Sequence, residues 1–206
     1  MIVKIIFPLM ALWSVVAVSP RAEAAKGVLY DQPAILHEFF PGADRIDTID
    51  VAITPDLAAR LKTRLGYVPV CAHYAVFVGR KGGRDLGYAV IDEEKGMHEP
   101  ITFAVLVGLD GAVARQEVMV YREPEGDGVT SHRFTRQFVG KTIKDPIRAG
   151  VDITIVSSAT ISSNSMAVGV RRAVTIVDEA VLPIVPSTAA LGPASAAVHP
   201  ASGHGS

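Results

Sequence analysis

The chain has 206 residues and a formal net charge of −1. That length favours one domain and allows a core without disulfide or metal staples. The even charge leaves no basic footprint, which excludes nucleic acid as an expected partner. The single cysteine, Cys71, excludes an internal disulfide, a cysteine zinc cluster and covalently attached haem.

Residues 1–25 read as a secretory signal. "MIVK" is a short basic start and "IIFPLMALWSVVAV" an apolar stretch. "SPRAEAA" then offers a small-x-small cleavage pattern at Ala22 and Ala24. The apolar run is shorter than the roughly 20 residues of a spanning helix, and an uncleaved anchor is the alternative. The expected location is periplasmic or exported, with anchoring through this segment as the variant.

The folded part is expected over residues 26–182. "DQPAILHEFFPGAD" predicts a short helix ended by Pro41-Gly42. "TPDLAARLKTRLG" predicts a second, with Thr54 as cap, Pro55 in the first turn, Asp56 at the positive end and Gly66 as the stop. Leu57, Leu61 and Leu65 fall on one face of it. Cys71, inside "VPVCAHYAVFV", is expected to be a small buried residue.

Strands follow. "AHYAVFVG" and "LGYAVID" flank the turn "RKGGR". "ITFAVLVGLDGAVARQEVMVY" predicts a second hairpin that turns at Asp110-Gly111. The loop "REPEGDG" and the segment "HRFTRQFVGK" come next, and "VDITIV" alternates like a last strand. A closing helix carries Met166, Val170 and Val174 at four-residue spacing. The fold class is α+β, an antiparallel sheet with a few helices. Residues 183–206 are rich in Pro, Ala, Ser and Gly and carry no Asp, Glu, Lys or Arg, so disorder is expected there. His199 and His204 lie in that tail, where nothing preforms a metal site.

Chemistry concentrates in "VSSATISS", between the expected last strand and the closing helix. Five of its eight residues carry hydroxyls. A serine hydrolase elbow needs Gly-x-Ser-x-Gly, and no glycines flank these serines. Two readings remain. A turn entering a helix presents free N–H groups and the positive dipole end, and the added hydroxyls suit a phosphate. Alternatively, Ser162 or Ser163 caps the helix.

The stretch "SSATISSNSMAVGVRRAV" resembles the FMN-binding domain of flavin-carrying electron-transport subunits. These include the G subunit of the Rnf complex, the C subunit of the sodium-pumping quinone reductase and their exported relatives. "FTRQFVGK" is similar to the family's Phe-x-x-Gln-Phe-x-Gly-Lys, at Phe134, Gln137, Phe138, Gly140 and Lys141. "FFPGAD" and "GMHEPITFAVLVGLDGAVARQEVMVYRE" resemble its early turn and its central sheet, with Glu123 on the family's glutamate.

The resemblance implies FMN as cofactor, its phosphate at the strand-to-helix turn and a phosphoester to Thr160, with Ser157, Ser158 and Ala159 completing the motif. It also implies that Glu123, Gly126, Gly128 and Gln137 contact the cofactor. A flavin transferase would install the ester, and membrane or periplasmic redox proteins would exchange electrons with it.

The chain departs from the family at Ser158, where the family has Gly, at Thr154, where it has Asp, and in the loop "EPEGDG". Glycine at position 158 would suit a positive φ, which serine tolerates poorly. Noncovalent FMN, and a binding module without flavin, are the alternative functions.

Overall fold

The computed structural model describes residues 27–183. The expected leader lies outside them, as does the expected tail apart from Pro183. The first helix, α1 (Gln32–Phe39), starts where the Asp31 carboxylate accepts from the Ala34 N–H at 2.8 Å. The second, α2 (Pro55–Leu65), begins at Thr54, whose hydroxyl accepts from the Leu57 N–H at 3.3 Å. It ends at Gly66, in the left-handed region at φ 86°.

Five strands form one antiparallel meander in the order β1-β2-β3-β4-β5. They are β1 (Arg45–Ala52), β2 (His73–Lys81), β3 (Arg84–Lys95), β4 (Pro100–Val107) and β5 (Val113–Val120). The expected β2–β3 and β4–β5 hairpins are present, the second turning through Gly111 at φ 79°. The antiparallel α+β class expected from the sequence is the one observed.

One strand goes beyond the sequence reading, and two expectations are corrected. "RIDTIDVA" is the edge strand β1, which the periodicity did not reveal. Its Asp47 pairs with Arg80 of β2 at 2.6 Å, and charges of this kind blunt an open edge. "VDITIV" is not a strand: it makes one isolated bridge, between Ala149 and Ile153, and runs on as extended loop. Finally, Cys71 is exposed, because it lies in the irregular connection between α2 and β2 rather than inside the strand.

Both sheet faces are covered. Ile35, Leu36, Phe39 and Phe40 of the α1 region pack on Ala89, Ala104 and Met119. On the other face, α2 and the long helix α4 (Thr160–Ile176) bury Leu57, Leu61, Leu65, Met166, Val170 and Val174 against Val90, Phe103, Val105 and Val118. The helix comes close because Gly169 has no side chain. A Cβ there would lie 2.2 Å from the Phe103 ring.

A buried ion pair sets the position of α4 along β3. The Arg172 Nε–H donates to Asp92 at 2.7 Å, and the guanidinium also pairs with Glu94 and bonds the Glu93 carbonyl. Burial would lower the pKa of this guanidinium, but the carboxylates outweigh it and hold the pKa above the ordinary value. Removing one partner would strand a buried charge, which is far costlier than never having the pair. Arg172 therefore holds the C-terminal half of α4 on β3, and the Ser165 hydroxyl, donating to the Lys95 carbonyl at 2.6 Å, holds the half nearer its start.

Candidate functional site

The hydroxyl-rich segment forms a tight turn at the start of α4. The Ala159 N–H donates to the Val156 carbonyl at 3.0 Å and closes it. Ser158 sits at φ 64°, in the left-handed region. Its hydroxyl donates to the Ser157 carbonyl at 2.6 Å.

Neither Ser162 nor Ser163 caps the helix. Both are buried. The Ser162 hydroxyl pairs with the Tyr121 hydroxyl at 3.3 Å, and the Ser163 hydroxyl accepts from the Val156 N–H at 3.1 Å. The N-cap residue is Ala159, which has no side-chain acceptor. The opening N–H groups of α4 therefore lack a side-chain partner, and Thr160 follows as the first helical residue with its side chain exposed. This is the geometry in which a helix start accepts an anion.

The loop after β5 forms the facing wall. The Tyr121 hydroxyl donates to the Glu125 carbonyl at 2.7 Å and holds the loop against α4. Gly126 is left-handed at φ 77°, and a Cβ on it would lie 2.8 Å from the Ala159 Cβ. A Cβ on Gly128 would lie 2.7 Å from a Val156 methyl. Both glycines thus let the loop approach the turn itself.

Glu123 accepts from the His98 N–H at 2.8 Å and the Glu99 N–H at 3.2 Å, which fastens the loop to the turn before β4. Burial would raise this carboxyl, but the backbone N–H groups of His98, Glu99 and Met97 outweigh it and hold it below its ordinary value.

Between these walls lies a cleft of about 450 Å³. Thr160, Ser158, Ala159, Glu123 and Glu125 line it, together with His98, Met97 and Ser162. Ser157, Gly128 and Gln137 fall on the other side of the turn, in a separate cleft. Gln137 spends both ends of its amide on the Thr154 backbone, at 2.8 Å to the N–H and 3.4 Å to the carbonyl. It supports the turn from behind. Asp152 is likewise engaged, accepting from the N–H groups of Ile147 and Arg148 and pairing with Lys141 at 2.8 Å.

Tyr121 and Ser162, 41 residues apart, join the two walls. Nothing in the sequence marked either as a partner of the other. Glu125 belongs to the cleft, whereas Asp127, from the same loop, does not line it. Among the described residues, no group of three potential metal ligands occurs, and no helix is long and apolar enough to cross a membrane.

The cleft suits a flavin mononucleotide. Its volume lies within the roughly 300–1,000 Å³ of small-molecule sites. The uncapped helix start lines it, with the exposed Thr160 among the lining residues. Residues 96–175 match the family model described as the FMN-binding domain. The match begins at the turn that Glu123 holds and runs through β4, β5, the loop and the hydroxyl-rich turn to near the end of α4. Both walls of the cleft fall inside it. No curated protein matches the chain. FMN is the cofactor that this domain indicates.

Proposed function

We propose that the protein is an exported electron-transfer flavoprotein that carries FMN esterified through its phosphate to Thr160. One observation carries the reading: Thr160 is the exposed first residue of an uncapped helix and stands at the edge of a cleft of suitable size. When bound, FMN supplies the transfer of electrons, and the chain supplies placement and field.

Each wall has its part. The helix start and the N–H groups beyond Ala159 would face the phosphate. Ser158 adopts the left-handed backbone at the bend of the turn, and Ala159, pressed on Gly126, keeps the two walls in register. His98 and Met97 border the rest of the cleft.

The charge of the cleft favours an ester over a free phosphate. Glu123 and Glu125 line it, and no Lys or Arg does. A free phosphate monoester carries close to two negative charges at neutral pH, about as a phosphorylated serine does. Esterification to Thr160 leaves one, and the repulsion from the glutamates falls in proportion. A covalent tether also removes the loss of translational freedom that a free ligand suffers on each binding. For a chain working outside the cytoplasm, that prevents loss by dilution. The Glu125 carboxylate opposes adding negative charge to the cleft, which tunes the site toward a low potential.

A flavin transferase would be needed for maturation, and membrane or periplasmic redox proteins would exchange the electrons. The experiment is purification from the exported compartment of a host that supplies the transferase. Yellow colour that survives denaturation and gel filtration is the expected result. Colour that washes out would leave FMN without the ester. A colourless protein would leave a binding module and overturn the reading.

A further inference from the structure

The hydroxyl-rich turn has a second side. There Ser157, Gln137, Thr154, Gly128, Arg133 and Arg136 border a cleft of about 590 Å³, larger than the one at Thr160. Arg133 lies in a short helix, α3 (His132–Thr135), and Arg136 opens the 3-10 turn that follows it. A spacing of three residues puts both guanidinium-bearing side chains on one face. Like charges so placed repel unless something negative sits between them.

Among the described residues, no acidic side chain lines this cleft, and neither arginine makes an ion pair. Asp152, two residues from the lining residue Thr154, is already taken by Lys141 and two backbone N–H groups. The two sides of the turn therefore differ in sign: two glutamates at Thr160, two arginines here.

The walls are firm and one donor is free. Gln137 is locked on the Thr154 backbone, and the Ser131 hydroxyl donates to the Gly128 carbonyl at 2.6 Å while accepting from the Phe134 N–H. The Ser157 hydroxyl, by contrast, bonds no group among the described residues, and its side chain is exposed. Guanidinium groups match carboxylate and phosphate with paired N–H donors. A concave site of this volume takes a small molecule.

We propose that this cleft is a second binding site, for a small oxyanion: a carboxylate or phosphate compound held by Arg133 and Arg136 with Ser157 as a third donor. It is separate from the cleft at Thr160 and does not depend on esterification there. The turn lies between the two clefts, with Val156 and Ser157 on the arginine side and Ser158 and Ala159 on the other.

Calorimetric titration of the full chain at low ionic strength tests this, with inorganic phosphate and succinate as the two probes. One-site saturable binding of at least one probe is expected, and the tighter probe names the oxyanion. The double variant Arg133→Gln/Arg136→Gln should weaken it at least tenfold, and Ser157→Ala about threefold. Thr160→Ala should leave it within twofold, which separates this site from the flavin reading. FMN-loaded protein should bind the probe equally well. Absence of saturable binding by both probes, or equal binding by the double variant, overturns the site. Binding that disappears in Thr160→Ala or in FMN-loaded protein also overturns it, because the anion would then be sitting in the flavin cleft.

Discussion

The hydroxyl of Ser163, fully buried in α4, accepts a hydrogen bond from the backbone N–H of Val156 at 3.1 Å. The bond reaches back seven residues and ties the entry of the turn to the body of the helix. A serine that looked like a cap therefore works as a clasp, and the helix start is left open.

Ser163→Ala leaves the Val156 N–H without that acceptor in a half-buried position. A stranded buried donor costs about 1–3 kcal/mol, and the partial exposure of Val156 puts this case at the low end. The expected result in urea denaturation is a lower midpoint with an unchanged slope. The fraction of chains that acquire FMN should fall with it, because the turn that presents Thr160 loses its anchor.

Ser158→Gly acts in the opposite direction. A non-glycine residue in the left-handed region costs about 1–2 kcal/mol, and glycine gives back about 0.5–1 kcal/mol through chain entropy. Net stabilisation of up to about 1.5 kcal/mol is expected at the observed φ of 64°. Ser158→Val should destabilise, since a β-branched residue fits that backbone worst. Thermal melts of the three proteins, run side by side, check the order.

The sequence made much of this legible, and the reason differs by element. The helix α2 was readable because Thr54, Pro55, Gly66 and three leucines all agree on it. Hairpins with Gly82-Gly83 and Asp110-Gly111 at their turns announced themselves through turn chemistry. The strand β1 escaped because it is a charged edge, with Asp47 and Asp50 interrupting the apolar pattern and only Val51 buried. "VDITIV" misled for the converse reason. It alternates, but its hydrogen bonds go to Gln137 and Ser163 side chains rather than to a neighbouring strand. In the candidate site, Thr160 and Ser158 could be read from the motif. The division of the site by the turn, with Ser157 and Gln137 behind it, depends on long-range contacts such as Tyr121 to Ser162.

Glu123 predicts a pH dependence. Its folded pKa is depressed, so its ionised form favours the fold. That contribution is complete above the unfolded value of about 4.3 and is lost as pH falls through the lower folded value. Glu123→Gln should therefore be less stable than the parent at pH 7, with the gap narrowing toward pH 3. An equal gap at both pH values would mean that the charge is irrelevant and only the shape of the side chain matters.

Gln116 is 1 % exposed, and neither its amide nitrogen nor its amide oxygen has a partner among the described residues. It faces the apolar side of β5, next to Val118 in alternation. Burying an amide without partners costs about 1–3 kcal/mol in proteins. Gln116→Leu, of similar volume, should raise the denaturation midpoint. A fall would show that the amide is bonded after all, through an ordered water.

The most direct test of the account is the intact mass of the mature chain after co-expression with a flavin transferase, beside Thr160→Ala. A gain of one FMN less one water is expected in the parent and none in the variant. An unmodified parent, or the same gain in Thr160→Ala, would contradict the assignment of Thr160 as the residue that carries the flavin.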